Sequence, residues 1–347
     1  MKALIIAADA GRGLRPLSHT TLPALLPICN EPALFYGLRT IRATGIEDVG
    51  IVTGRDATDV MDAVGDGARF SLNVQYLPLD RRLGVAAGVA IAREFLGDDD
   101  FVLFTGENLL FGDLRALIAE FDSLRLDALA MTGMAEASGE QVPMGLYVFS
   151  AVVHQAILCT QPTWRRELRL ADSIQWLIDH GAAVRAHVFD GYWTSLTSVD
   201  DLLRGNRAVL ATLATSATSP TFQRQDIGGR ICTASSVAGK VVIEEGADVH
   251  ASHIIGPALI GSGAEISGSR VGPGVVIGRD CVLRDTAIER SVVLDNASIH
   301  GIRGISDSVI GQHAIVALSP ADSRSPNLVI GDHSTVLLDP AARGAAR

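Results

Sequence analysis

Apolar and polar positions follow two rhythms along the chain. Residues 2–8, KALIIAA, carry a continuous apolar run that ends at DAGRG, the pattern of a buried strand running into a glycine-bearing turn. Over 32–44, Leu34, Leu38 and Ile41 recur at helical spacing and Gly45 follows as a stop, which predicts a helix. VGIVTG at 49–54 predicts a strand, 56–64 a helix, 74–77 a strand, 85–95 a helix and 101–105 a strand. Strands alternating with helices predict a doubly wound α/β domain on a parallel sheet. Such sheets bind ligands at the carboxyl ends of their strands. The segments expected there are 9–15, after the first strand, and 106–108, after FVLFT.

The second rhythm starts beyond ATLATSATSP at 211–220, a small, polar stretch that reads as a linker. VVIEEGADV, IIGPALIGSGAEI, VGPGVVIGRDCVL, SVVLDNASI and SVIGQHAIV then share a step of about six residues. The apolar positions are Ile243, Val249, Ile255, Ile260, Ile266, Val271, Ile277, Ile288, Ile299, Ile310 and Val316. A step of small branched residues followed by Gly, Asp or Asn predicts a parallel β-helix, each coil stacking on the last. The stretch 317–327, ALSPADSRSPN, is expected to interrupt the coils as a loop. The expected boundaries are 1–212 for the α/β domain, 213–235 for a linker and 236–340 for the coils.

Composition narrows the partners. The formal net charge of the 347 residues is -10, which argues against a nucleic-acid partner, because phosphate binding draws on clustered positive charge. No apolar run reaches the roughly 18 residues that a membrane-spanning helix needs, and MKALIIAADAG lacks the pattern of a secretory leader. Cys29, Cys159, Cys232 and Cys281 are far apart and form no CxxC pair, so neither a zinc site nor a disulfide framework is expected. The expectation is a cytoplasmic protein that binds a small molecule and assembles as a homo-oligomer through flat coil faces. Lysine is scarce: Lys2 and Lys240 are the whole set.

The motif order adds a more specific reading. ALIIAADAGRGLRPLSHT, LLPICNEPALFYGL, GIEDVGIVTG, VGDGARF, FLGDDDFVLFTGEN, DSIQWLIDHG and GYWTSLTSVDDLLRGNRAVL follow one another as in the sugar-phosphate nucleotidyltransferase family. Nearly the whole chain resembles that family's long glucose-1-phosphate thymidylyltransferase form. The resemblance implies a Rossmann-like nucleotidyltransferase domain followed by a left-handed β-helix. It also implies attack of a sugar phosphate on the α-phosphorus of a nucleoside triphosphate, with pyrophosphate leaving. Catalysis of that kind is positioning plus neutralisation of charge by magnesium, Lys and Arg. The family supplies these through a GGxGTRLxP loop, a PKxLLP lysine, an Asp after the central strand, an Asp in WxDTG, a base-reading Gln and a sugar-holding EKP segment.

This chain departs from that pattern at the catalytic positions. The double glycine falls on Ala8 and Asp9, while Gly11, Arg15 and Pro16 are kept. The loop's Thr-Arg becomes Arg12-Gly13, so the clamping arginine is Gly13. The lysine falls on Pro23, the metal aspartates on Glu107 and Ser195, and the glutamine on Leu79. The EKP segment has no counterpart, because the chain is shorter between Met131 and Met144. Loss of one clamping cation alone costs roughly 10³–10⁵ in rate, and arginine is a poor stand-in for a compact ammonium. The expectation is loss of nucleotidyl transfer, with magnesium needed only if that activity survives and no other cofactor called for.

Asp9, Glu107 and His19 are the candidate acid–base residues of a repurposed, metal-independent pocket. Gly11, Arg12, Arg15, Leu79, Gly84, Asn108 and Ser195 are the candidate ligand contacts. Three other readings stay open: a non-catalytic regulatory or assembly partner of a sugar nucleotidyltransferase, a divergent but active nucleotidyltransferase, and an acyltransferase working through coil histidines. His250, His253, His300, His313 and His333 would serve the last of these.

Overall fold

The computed structural model describes residues 1–8, 11–54, 57–79, 84–134, 141–162, 168–215, 227–322, 329–332 and 334–340. The chain forms two compact units. One comprises Met1–Ala10, Leu22–Leu26 and Pro32–Ser195, and the other Gly11–Thr21, Pro27–Glu31 and Leu196–Arg347.

The described residues of the first unit include the strands β1 (Lys2–Ala7), β2 (Asp48–Thr53), β3 (Asn73–Pro78), β4 (Phe101–Thr105), β5 (Asn108–Phe111), β6 (Ala128–Met134), β7 (Gln141–Phe149), β8 (Val184–Val188) and β9 (Tyr192–Ser195). Seven of them make one sheet in the order β8-β6-β7-β4-β1-β2-β3. Its helices are α1 (Ala33–Ala43), α2 (Thr58–Val64), α3 (Val85–Ile91), α4 (Arg93–Leu96), α5 (Arg115–Leu124), α6 (Val152–Cys159) and α7 (Leu170–Asp179). The apolar run of β1 is buried on both faces, as a central strand between two helical layers requires. Ala3, Ile5 and Ala7 pack with Leu38 and Ile41 of α1, Val60 of α2 and Phe121 of α5. Leu4 and Ile6 pack with Val89 of α3, Val153 and Ile157 of α6 and Leu177 of α7.

The sheet is mixed rather than wholly parallel. β7 runs antiparallel to both β4 and β6, while β1 pairs in parallel with β2 and β4. The expected helix over 85–95 divides at Ala92, the cap shared by α3 and α4.

The second unit contains α8 (Val199–Thr215) and three stacked parallel ladders, the arrangement of a left-handed parallel β-helix. One ladder starts at Arg230–Ile231, another at Ser236–Ala238 and the third at Val241–Ile243. One coil takes 17 residues: the Ser269 N–H donates to Ser252 Oγ and the Thr286 N–H to Ser269 Oγ, each one coil back. Corner residues turn through the left-handed region, at Gly263, Asp280, Asn296 and His313 along one edge and at Ala251, Gly268 and Asp285 along another. That is why Gly, Asp and Asn follow the branched residues in the repeat.

Ten of the eleven expected inward positions are buried; at the eleventh, Ile254 points inward and Ile255 is half-buried. The coil therefore advances in steps of six, five and six, not uniformly by six. Where a strand reads as three consecutive apolar residues, as in Val241–Ile243, Ala258–Ile260 and Val275–Ile277, all three are buried. The segment Pro27–Glu31 reaches this ladder: Asn30 Nδ2 donates to Ile277 O at 2.8 Å, and the Cys29 N–H to Asn206 Oδ1 of α8 at 2.7 Å. Residues 317–322, expected in a loop, belong instead to a long strand, Ile315–Asp322, paired in parallel with Thr335–Pro340.

Candidate functional site

In the first unit, β4 ends at Thr105, and Gly106 and Glu107 turn the chain into β5. The turn lies against the end of β1, with the Gly106 N–H donating to Ile6 O at 2.8 Å. Asn108 opens β5 and pairs in antiparallel register with Ser195, the last residue of β9. Asn108 is 2% exposed and spends its amide donors inside the protein: Nδ2 reaches Thr105 Oγ1 at 2.6 Å and Met144 O at 2.5 Å. Gly145 makes room for this knot. Its φ is +71°, and a Cβ there would stand 2.5 Å from Thr105 Oγ1 and 2.6 Å from Asn108 Nδ2. Asn108 thus fixes the turn that carries Glu107, whose side chain is half-buried. Glu107, Asn108 and Ser195 share one end of this unit.

Leu79 and Gly84 have different surroundings. Leu79 is a core residue, packed in the cluster of Ile6, Val52 and Leu77. Gly84 begins α3 with φ +87°, and a Cβ on it would stand 2.6 Å from Leu168 O. Near Asn108, the Trp193 indole nitrogen is buried without a hydrogen-bond partner.

Gly11, Arg12, Arg15 and His19 belong to the second unit, on a loop of two short 3₁₀ turns, Arg12–Leu14 and Leu17–His19. Gly11 starts the first turn in the left-handed region, φ +54°, a conformation that costs glycine little. Leu14 and Leu17 are fully buried, whereas Arg12, Arg15 and His19 are exposed. Asp9 lies outside the described residues. Gly13 is exposed, but its Cβ direction is blocked: a Cβ there would stand 3.3 Å from the Thr197 carbonyl carbon and nearer still to its oxygen.

Thr197 is held by a capping box at the start of α8. Asp201 Oδ2 accepts the N–H and hydroxyl of Thr197 at 3.1 and 2.8 Å, and both donors of Ser198 at 2.8 Å. Sequence reasoning passed over Asp201 and Thr197, although Ser198 three residues ahead of Asp201 carries the signature.

Pro23 is a buried residue that opens a 3₁₀ turn. Lys2 is spent elsewhere: Nζ donates to Phe95 O at 2.7 Å and pairs with Asp99 at 2.9 Å. The donor set at the two family metal positions, a carboxylate at Glu107 and a neutral hydroxyl at Ser195, does not match the two-carboxylate magnesium site that the resemblance implies. Among the coil histidines, His253 Nδ1 lies 2.6 Å from Ser236 Oγ on an exposed face, and His333 is outside the described residues.

Comparison with known proteins gives these positions a context. Residues 2–141 match the nucleotidyl transferase family, and 219–317 the GlmU-like C-terminal hexapeptide family. The chain is 42% identical to a glucose-1-phosphate thymidylyltransferase of Streptomyces griseus over 96% of its own length and 98% of the relative's. It is 38% identical to one of Streptomyces antibioticus, with 97% and 99% covered. It is 31% identical to the low-salt glycan biosynthesis nucleotidyltransferase Agl11 of Haloferax volcanii, with 97% and 100% covered. A Bacillus anthracis structure named as a glucose-1-phosphate thymidylyltransferase, solved with sucrose, shares the fold over 60% of this chain and 94% of its own, with a TM-score of 0.57 and 23% identity. The chain belongs to the glucose-1-phosphate thymidylyltransferase-like family of sugar nucleotidyltransferases.

Proposed function

We propose that this chain keeps the family's pocket as a binding site for a nucleotide-sugar-like small molecule but no longer performs family-type nucleotidyl transfer. The observation that carries the reading is Gly13. The position of the phosphate-clamping arginine holds no side chain, and the Thr197 carbonyl occupies the space where one would begin. Two further positions point the same way: the lysine position is the buried Pro23, and the neutral Ser195 stands at one metal position, while Glu107 keeps a carboxylate at the other. Such losses act on a shared unit, so they need not multiply, but any one removes much of the charge neutralisation that the reaction demands. What remains suits recognition, or proton transfer on a less charged substrate, for which Glu107 is the carboxylate.

A second reading, a divergent but active enzyme, draws on the 42% identity to a glucose-1-phosphate thymidylyltransferase across nearly the whole chain. Pyrophosphate release is the deciding assay, run with glucose-1-phosphate and thymidine triphosphate, then with the other common triphosphates and sugar-1-phosphates, with magnesium throughout. Our reading expects no turnover above background, and robust turnover overturns it. Thermal-shift screening against nucleotides, nucleotide sugars and sugar phosphates tests the binding half, with stabilisation by none of them as the adverse result. Asp9→Asn and Glu107→Gln then separate chemistry from assembly: both should abolish any acid–base activity and spare a protein partner.

A further inference from the structure

The loop Gly11–Thr21 is fastened to the far end of the β-helix within its own unit. Thr20 Oγ1 donates to Asp332 Oδ2, across 312 positions of sequence. The other oxygen of the same carboxylate accepts the Gln312 N–H at 2.7 Å, so Asp332 joins the loop to the preceding coil. Next to it, Gly331 is buried beneath Pro16: a Cβ on Gly331 would stand 3.0 Å from both Cβ and Cγ of the proline ring. The loop's own bonds are local. Ser18 Oγ donates to Gly11 O at 2.5 Å, the Leu14 N–H to Gly11 O at 2.9 Å and the His19 N–H to Pro16 O at 3.1 Å. These bonds shape the turns, but they do not fix the loop in space. The loop is anchored by the buried side chains of Leu14 and Leu17, the seat of Pro16 on Gly331, the Thr20–Asp332 bond, and Gly13 against the Thr197 carbonyl.

We propose that the last coil of the β-helix is a positioning element for this loop, with Asp332 as its positioning residue, so that the presentation of Arg12, Arg15 and His19 depends on residues at the opposite end of the chain. The proposal rests on the reading that this loop faces the ligand. A carboxylate suits the task because its two oxygens can serve two elements at once. Glycine at 331 suits it because the ring and the coil touch without a side chain between them.

The test uses the full chain and three variants, Asp332→Ala, Thr20→Val and Asp332→Asn. Trypsin reports on the loop directly, because it cuts after Arg12, while the bond after Arg15 precedes proline and resists it. Losing a hydrogen bond to a charged group should raise the open population of the loop about tenfold or more. Cleavage after Arg12 should speed up by that factor in Asp332→Ala and in Thr20→Val. Asp332→Asn should stay near the parent rate, since its amide can still accept from Gln312 and donate to Thr20. Unchanged cleavage in both disruptive variants overturns the proposal, as does acceleration shared equally by every tryptic site.

Thermal shift with thymidine triphosphate, thymidine diphosphate-glucose and glucose-1-phosphate gives the functional arm. A ligand that stabilises the parent should bind at least several-fold more weakly to Asp332→Ala. Undiminished affinity in a variant whose loop has loosened refutes positioning. Absence of binding by the parent refutes the ligand reading instead and leaves the loop measurement standing.

Discussion

Gly13→Ala adds one methyl group where the structure has no room for it. The new Cβ would stand 3.3 Å from the Thr197 carbonyl carbon, closer than that to its oxygen, and 4.0 Å from Ser198 Cα. These neighbours are backbone atoms, so no rotamer change relieves the clash. Nor can the segment retreat freely, since Thr197 and Ser198 together give four hydrogen bonds to Asp201. Forcing a methyl into such a contact costs about 1–3 kcal/mol. At about 2–4 °C per kcal/mol, the thermal midpoint should fall by about 2–12 °C. Gly54→Ala is the control, because nothing stands within 4 Å of its would-be Cβ and its φ is not positive. Differential scanning calorimetry of the three proteins measures both shifts. Equal midpoints for Gly13→Ala and the parent would refute the packing argument. Gly13→Arg starts from the same Cβ, so restoring the family residue should destabilise the protein and still release no pyrophosphate.

Two further outcomes concern ionisable groups. Burial pushes the Asp201 carboxyl up, but its hydrogen bonds from Ser198, Thr197 and Arg204 outweigh burial and hold it below the usual range. Its contribution to stability is therefore complete above the unfolded carboxylate value and lost as pH falls through the lower folded value. Asp201→Asn should cost about 1–2 kcal/mol near neutrality, and denaturant unfolding should show the parent's margin over it shrinking below about pH 4. His154 is 8% exposed, stacked on Phe101, and its Nε2 is buried without a partner. Burial first, and then the Arg93 charge, hold it below the ordinary histidine value, against a smaller opposing pull from Asp98. The native state favours neutral imidazole, so this contribution is intact above about pH 6.5 and declines below it as the unfolded chain takes up the proton. His154→Phe should show a smaller drop in thermal midpoint between pH 7.5 and 5.5 than the parent; an equal drop counts against the account.

Much of the architecture can be read from patterns in the chain, with limits that have physical causes. The run FVLFT gives β4 without error, because a strand buried on both faces has no polar interruption. The direction of β7 is invisible in GLYVF, since an apolar run looks the same in either orientation. In the coils, the step between Val249 and Ile260 leaves two adjacent isoleucines, and periodicity alone cannot say which points inward. The corner at Ala251 and Ser252 settles the choice for Ile254.

The site divides in the same way. Motif order offers Gly13, Pro23, Glu107 and Ser195 as the counterparts that the resemblance implies for the family's functional residues. It could not show that Thr197 closes the space at Gly13, that Asn108 faces inward to Met144, or that Leu79 belongs to the core. Each of these depends on a residue distant in sequence, and only the folded chain brings the two together.

The attachment of Thr20 to Asp332 also bears on how the protein is made. A ribosome releases the chain from its N-terminus, so the loop at 11–21 emerges long before its seat at 331–332. Until residue 332 has been made that loop has no coil to rest on, and it can settle only after the ladder has stacked up to the turn that holds Asp332. Completion of the loop is therefore a late, long-range event with a high contact order. A nascent chain stalled short of residue 330 would carry the exposed Arg12 and Arg15 on a segment still waiting for its seat.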